Sequence, residues 1–209
     1  LHHCNFIIEN ILIQKNIEYM YFCHNYIQYF RQLYLFDNNL SHVSSELYKM
    51  AQDLNYSNAL SIFGNLYANG CGVKQNYSLA IKYYEESAKL DDPNALFKLG
   101  YLYENGLGVK QNYSIAMKYY EESSKHNNSD ALLNLGNLYS HGRGVKQNYS
   151  IALNYYKESA KLNNSNALLN LGDLYMLGLG VAQDYTIGIK CYVFALKLKN
   201  PNAFYSLGD

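Results

Sequence analysis

The groups that could do chemistry in this 209-residue chain are six histidines, four cysteines, 17 acidic and 17 basic side chains, and 24 tyrosines. His2-His3-Cys4 and Cys23-His24 are metal-ligand types, but each is an isolated cluster, whereas a zinc site needs convergent ligands at short recurring intervals. Cys4, Cys23, Cys71 and Cys191 form no Cys-x-x-Cys and share no pairing interval, so neither a metal site nor a disulfide framework is expected. Nucleophilic catalysis would need a histidine with a recurring Ser or Asp partner, and the histidines are scattered. Gly-x-Gly recurs, yet no GxGxxG or P-loop pattern follows a strand, so a phosphate cradle is not expected. No enzyme activity, no cofactor and no small-molecule substrate are expected.

The charges balance and amount to only 16% of the chain, so the field that would hold a nucleic acid or an anionic membrane is missing. Lys74, Lys110 and Lys146 do form a column, and tyrosine can stack on bases. Those lysines are offset by Glu85, Glu86, Glu121 and Glu122, while the tyrosines fall on a packing stripe. No nucleic-acid partner is expected. The stretch from Ile17 to Phe36 is broken by Glu18, His24 and Arg31, which is too polar for membrane insertion. No basic start with an apolar run and cleavage site is seen, and a cytoplasmic location is expected, with a secretory lumen second. Asn-x-Ser sequons at Asn39, Asn55, Asn76, Asn112, Asn127, Asn148 and Asn163 would be glycan acceptors in such a lumen. A glycan at the three Asn-Tyr-Ser copies that start a helix would compete with capping.

The elements that position these groups are set by an internal repeat. Asn58-Ala59-Leu60 returns as Asn94-Ala95-Leu96, Asp130-Ala131-Leu132, Asn166-Ala167-Leu168 and Asn202-Ala203-Phe204, each step being 36 residues. In the unit that begins at Asn94, Ala95, Leu99, Leu102 and Tyr103 lie at helical spacing and predict a first helix, helix A. Asn105-Gly106-Leu107-Gly108-Val109 then ends it, because glycine permits positive φ. Asn112 or Ser114 caps a second helix, helix B, whose stripe is Ile115, Ala116, Tyr119, Tyr120 and Ser123. Helices this short are marginal alone and must bury their stripes against neighbours. Gly64, Gly100, Gly136 and Gly172 sit inside helix A, where glycine costs about 1 kcal/mol relative to alanine. A cost repeated in every unit implies close approach of the adjacent helix backbone, as do the small residues Ala80, Ala116, Ala152 and Gly188 in helix B. The expected fold is all-α: an α-solenoid of antiparallel helix pairs winding as a right-handed superhelix.

The run Ala95-x3-Leu99-Gly100-x2-Tyr103-x2-Gly106-x-Gly108-Val109-x2-Asn112, followed by Ala116-x2-Tyr119-Tyr120, closely resembles the Sel-one-like repeat, a relative of the tetratricopeptide repeat. Gly70-Cys71-Gly72-Val73, Gly106-Leu107-Gly108-Val109, Gly142-Arg143-Gly144-Val145 and Gly178-Leu179-Gly180-Val181 supply the loop that tetratricopeptide units lack. The resemblance implies a scaffold that assembles protein complexes, not a reaction. Some relatives have been linked with penicillin-type substrates, which makes a beta-lactamase-like hydrolase the enzymatic alternative. No Ser-x-x-Lys, Ser-Asp-Asn or Lys-Thr-Gly occurs to support it. Disulfide-linked members carry a cysteine pair in each unit, whereas these units have at most one cysteine.

The expected organisation is residues 1–57 as N-terminal helices that include a degenerate repeat (Val43 to Leu54 aligns with helix B), then residues 58–209 as repeats. Four full units, 58–93, 94–129, 130–165 and 166–201, precede the start of a fifth, and the stop within a helix A reads as a fragment of a longer array. If the register follows the tetratricopeptide pattern, the A helices line the inner, concave face with positions at intervals of four and three. The columns there vary between units: Ser61, Phe97, Leu133, Leu169; Asn65, Tyr101, Asn137, Asp173; Ala68, Glu104, Ser140, Met176; Asn69, Asn105, His141, Leu177. Candidate partner-binding residues are therefore Asn65, Phe97, Tyr101, Glu104, Leu133, Asn137, His141, Leu169, Asp173 and Met176. The expected function is a non-catalytic scaffold for a protein or peptide partner; the alternative is a structural spacer in a longer repeat protein. Val193-Phe194, in place of the Glu-Glu of the first two units, reads as a face covered by something else.

Overall fold

The computed structural model describes residues 57–70 and 74–208. The expected N-terminal helices and the degenerate repeat lie outside the described residues. Helix A of each unit is α1 (Ser57–Asn69), α3 (Pro93–Asn105), α5 (Ser129–His141) and α7 (Ser165–Leu177). Helix B is α2 (Tyr77–Ala88), α4 (Tyr113–Lys125), α6 (Tyr149–Lys161) and α8 (Tyr185–Lys197), and α9 (Asn202–Gly208) follows. Each A packs antiparallel on its own B, and each B packs on the next A, so the pairs form a solenoid without a strand among the described residues.

Local chemistry fixes the boundaries of α2 to α8. Asn76, Asn112, Asn148 and Asp184 are extended N-caps whose side-chain oxygens accept from the backbone N–H three residues on, at 3.1, 3.0, 3.0 and 2.9 Å. Of the two cap candidates in the second unit, Asn112 is the one used. Helices α3, α5 and α7 are capped by Asp92, Asn128 and Asn164 and end on Gly106, Gly142 and Gly178 in the left-handed conformation. Gly108 also has positive φ, and a Cβ there would strike Tyr77 of the preceding unit, so the second loop glycine serves close approach as well as the turn. Gln75, Gln111, Gln147 and Gln183 tie the loops down by donating to the carbonyls of Ala68, Glu104, Ser140 and Met176 at 2.7–2.8 Å. Those carbonyls lie in the last turn of helix A, where no intrahelical donor remains.

Leu99, Leu135 and Leu138 are fully buried or nearly so, each contributing about 2 kcal/mol by removal from water. The small B-helix residues Ala80, Ala116 and Ala152 have no exposed surface. In the fourth unit the corresponding residue is Gly188, and Met176 of α7 occupies the vacated space; a Cβ on Gly188 would sit 2.6 Å from its sulfur. Ser87, Ser123 and Ser159 donate at 2.7 Å to the backbone carbonyls of Ser57, Pro93 and Ser129, a tie repeated between the end of B and the start of its own A.

The helix-A glycine answers a close approach, as its repetition implied, but what approaches is chiefly a tyrosine ring of helix B rather than the helix backbone. A Cβ on Gly100 would lie 2.6 Å from Cε1 of the fully buried Tyr120 ring and 3.2 Å from the Ala116 carbonyl oxygen. Gly100→Ala gains about 1 kcal/mol of helix propensity but forces a packed ring aside, which costs about 1–3 kcal/mol. The expected net result is a loss of stability, read as a lower urea midpoint for Gly100→Ala than for the parent; a rise would show that the ring has room to move.

Candidate partner-binding face

The A-helix face is built around one buried phenol per unit. Tyr84, Tyr120, Tyr156 and Tyr192 each lay the ring against the glycine of their own helix A. A phenol O–H so placed must find an acceptor, because an unsatisfied buried donor costs about 1–3 kcal/mol. Tyr84 donates to Asn65 at 2.8 Å, Tyr156 to Asn137 at 2.8 Å and Tyr192 to Asp173 at 2.6 Å. In the second unit that column holds Tyr101, and the acceptor is instead Glu104, one turn along α3, at 2.7 Å from Tyr120. The Ser140 hydroxyl, in the Glu104 column, lies 3.0 Å from the Tyr156 hydroxyl as a further partner. Part of the variation that marked these columns as recognition positions therefore answers an internal demand.

The other candidates divide between core and surface. Leu133 and Leu169 are each 9% exposed and packed into the core. Phe97 is half-buried, its ring centroid 5.8 Å from that of Tyr120, with the Lys98 ammonium 5.6 Å from the Phe97 centroid. Glu104 keeps 11% of its side chain exposed, and Arg143, from the loop of the next unit, reaches it at 3.6 Å. Met176 is half-buried against the core of the last full unit. Tyr101 is 45% exposed, and His141 and Asp173 are also exposed. The His141 Nδ1 is held 2.8 Å from the Asn137 carbonyl and 3.0 Å from the Ser140 hydroxyl, which fixes the ring and leaves its other nitrogen outward.

Two residues that the sequence pattern did not single out join successive units, one to the preceding helix B and one to the preceding helix A. Asn134 of α5 donates to the Tyr120 hydroxyl at 3.0 Å, and Asn170 of α7 donates to Asn137 of α5 at 3.0 Å. Their signal was available, since both stand in one column with Lys98, polar within an otherwise apolar segment. Among the described residues no group of three or more His, Cys, Asp or Glu is placed to hold a metal, and the free cysteine, Cys191, is buried. No described helix is long and apolar enough to cross a membrane.

The Sel1 repeat family model matches residues 58–92, 93–128, 129–164 and 165–200, in phase with the helix pairs. The chain belongs to the Sel1 repeat family. The family is known for scaffolds of protein interaction. A solved Sel1 repeat protein from Oxalobacter formigenes is 35% identical, with a TM-score of 0.73 over 77% of this chain and 66% of that one. The chain thus spans just under two thirds of that relative's length. Helicobacter pylori cysteine rich protein B is 25% identical, with a TM-score of 0.50 over 63% of this chain and 94% of its own. An immunity protein from Pseudomonas aeruginosa, 21% identical, shares the fold with a TM-score of 0.55 over 77% of this chain and 58% of that one. Among curated proteins no sequence matches.

Burial pushes the Tyr84, Tyr120, Tyr156 and Tyr192 phenols up from their ordinary value, helped at Tyr120 by the Glu104 carboxylate and at Tyr192 by Asp173. A phenol whose folded pKa lies above its unfolded one stays neutral while the unfolded chain ionises. Its stabilisation is complete below about pH 10 and is lost as pH rises beyond that. Urea unfolding should give a free energy that is flat to about pH 9 and falls above about pH 10, with tyrosinate absorbance rising as the chain unfolds. Tyr120→Phe, which removes the hydroxyl bonded to Glu104 and Asn134, is expected to lower stability by about 1–2 kcal/mol.

Proposed function

We propose that the chain is an adaptor that holds a peptide or partner protein along the face formed by its A helices. The observation that carries this reading is the contrast within that face. Glycine, leucine and tyrosine columns repeat unit after unit, while side chains that remain at the surface, Tyr101, His141 and Asp173, stand in columns that vary between units. Tyrosine presents a large, stiff contact area at little entropic cost, a property of residues that anchor interfaces. Asp173 accepts from Tyr192 through one carboxylate oxygen and has a second to offer a donor on the partner. Leu133 and Leu169 support the face from behind, as do Asn65, Asn137 and Glu104 through the phenols they accept from.

A second reading, a spacer within a longer repeat protein, draws on that internal use: six of the ten candidates, Asn65, Glu104, Leu133, Asn137, Leu169 and Asp173, are committed to the core or to a buried hydroxyl. The two readings separate at exposed residues that neither fill the core nor bond to a buried phenol. Tyr101→Ala combined with His141→Ala is expected to leave the urea midpoint nearly unchanged and to cut retention of co-purifying partners about tenfold, as for loss of interface anchors. Glu121→Ala with Glu122→Ala, on the outer face of α4, serves as the control. Identical partner sets and amounts for all three proteins would leave the spacer as the better account.

A further inference from the structure

The outward face of α8 departs from those of α2, α4 and α6 at two adjacent positions. Val193 and Phe194 stand where the earlier units have Glu85-Glu86, Glu121-Glu122 and Lys157-Glu158. Both are exposed, at 38% and 45%, and exposed Ile189 and Leu196 share a row with Val193 at spacings of four and three. Stacking does not account for the change. The Ile189 column is covered by the following unit, since Ile81 and Leu153 are buried. The columns of Val193 and Phe194, in contrast, stay exposed or half-exposed in the three earlier units, each of which has another unit behind it. A further unit in the same register would leave them in water.

The same substitution strands a charge. In the earlier units the lysine near the end of helix B pairs with the glutamate three residues before it: Lys89 with Glu86, Lys125 with Glu122 and Lys161 with Glu158, at 2.6–2.7 Å. In α8 that glutamate is Phe194, and Lys197 has no acidic partner among the described residues. Lys190 and Lys199 are likewise exposed and unpaired there, and α8 contains no acidic residue. Two copies of this face would set lysine against lysine, which disfavours self-association. We propose that this face docks an acidic amphipathic helix of a partner protein, whose apolar positions cover Val193, Phe194 and Leu196 and whose carboxylates replace the glutamate that α8 lacks. The site lies on helix B and is distinct from the A-helix face.

The test uses two fluorescent helical peptides with one apolar register and either Glu or Lys at the flanking positions, titrated against the whole chain by anisotropy. The Glu peptide is expected to bind about tenfold more tightly than the Lys peptide, with affinity falling as salt rises. Val193→Lys with Phe194→Glu, which installs the surface pair of α6, is expected to weaken the Glu peptide about tenfold at an unchanged urea midpoint. If that variant unfolds early, Lys197→Gln alone carries the test and is expected to weaken the Glu peptide about threefold. Equal binding of the two peptides, binding of neither, undiminished binding by the variant that carries the test, or sedimentation with phosphatidylserine vesicles in preference to the Glu peptide would overturn the proposal.

Discussion

The structure depends on the contact between the helix-A glycine and the helix-B tyrosine ring. It brings the two helices of a unit together closely enough that no Cβ fits between them, and it removes the phenol from water. Helices of 12 or 13 residues have little stability of their own, so this contact and the leucines around it must hold them. The contact also imposes a condition, because the ring brings in a hydroxyl. Glycine, tyrosine and acceptor are therefore one device, and a unit that keeps two of the three has lost more than a third of its value.

That device changes what variation means in a repeat protein. The acceptor is not tied to one position: it is Asn65, Asn137 or Asp173 in one column and Glu104 in the next turn. Once Glu104 has taken the hydroxyl, its neighbour column is released, and Tyr101 can stand there with nearly half its surface exposed. Met176 shows the same logic in volume, occupying space opened where alanine becomes Gly188. A column that varies can thus be compensating within its unit or meeting a partner, and only the hydrogen bonds and burial tell the two apart.

The period, the two helices, their caps and the close-approach glycines were legible in the sequence because each is local chemistry repeated at a fixed interval. Asn112, Gly106 and Gly100 could be given roles without coordinates, and those are the roles they have, save that what approaches Gly100 is chiefly a ring rather than the helix backbone. The A-helix face was legible only as a set of columns. Periodicity says which residues share a face, but not which have a buried hydroxyl pointed at them, since Tyr120 and Glu104 are 16 residues apart on different helices. The Asn134 and Asn170 bonds were missed for a related reason: a polar residue in an apolar stripe looks like an exposed one until the neighbouring unit supplies its partner.

Because each unit touches chiefly its neighbours, a stack of this kind decouples its surfaces. The phenols, the loop glutamines and the serine ties bind the two helices of one unit to each other, so a change on one exposed column has few routes to the next. The replacement of a glutamate by Phe194 illustrates this: it removes an ion pair worth little in water, and the repeat around it keeps its cap, its buried Tyr192 and its serial packing. Surfaces can therefore be rewritten one unit at a time at small cost to the fold. An apolar pair that persists at such a position is then better explained by what it meets than by what it holds up.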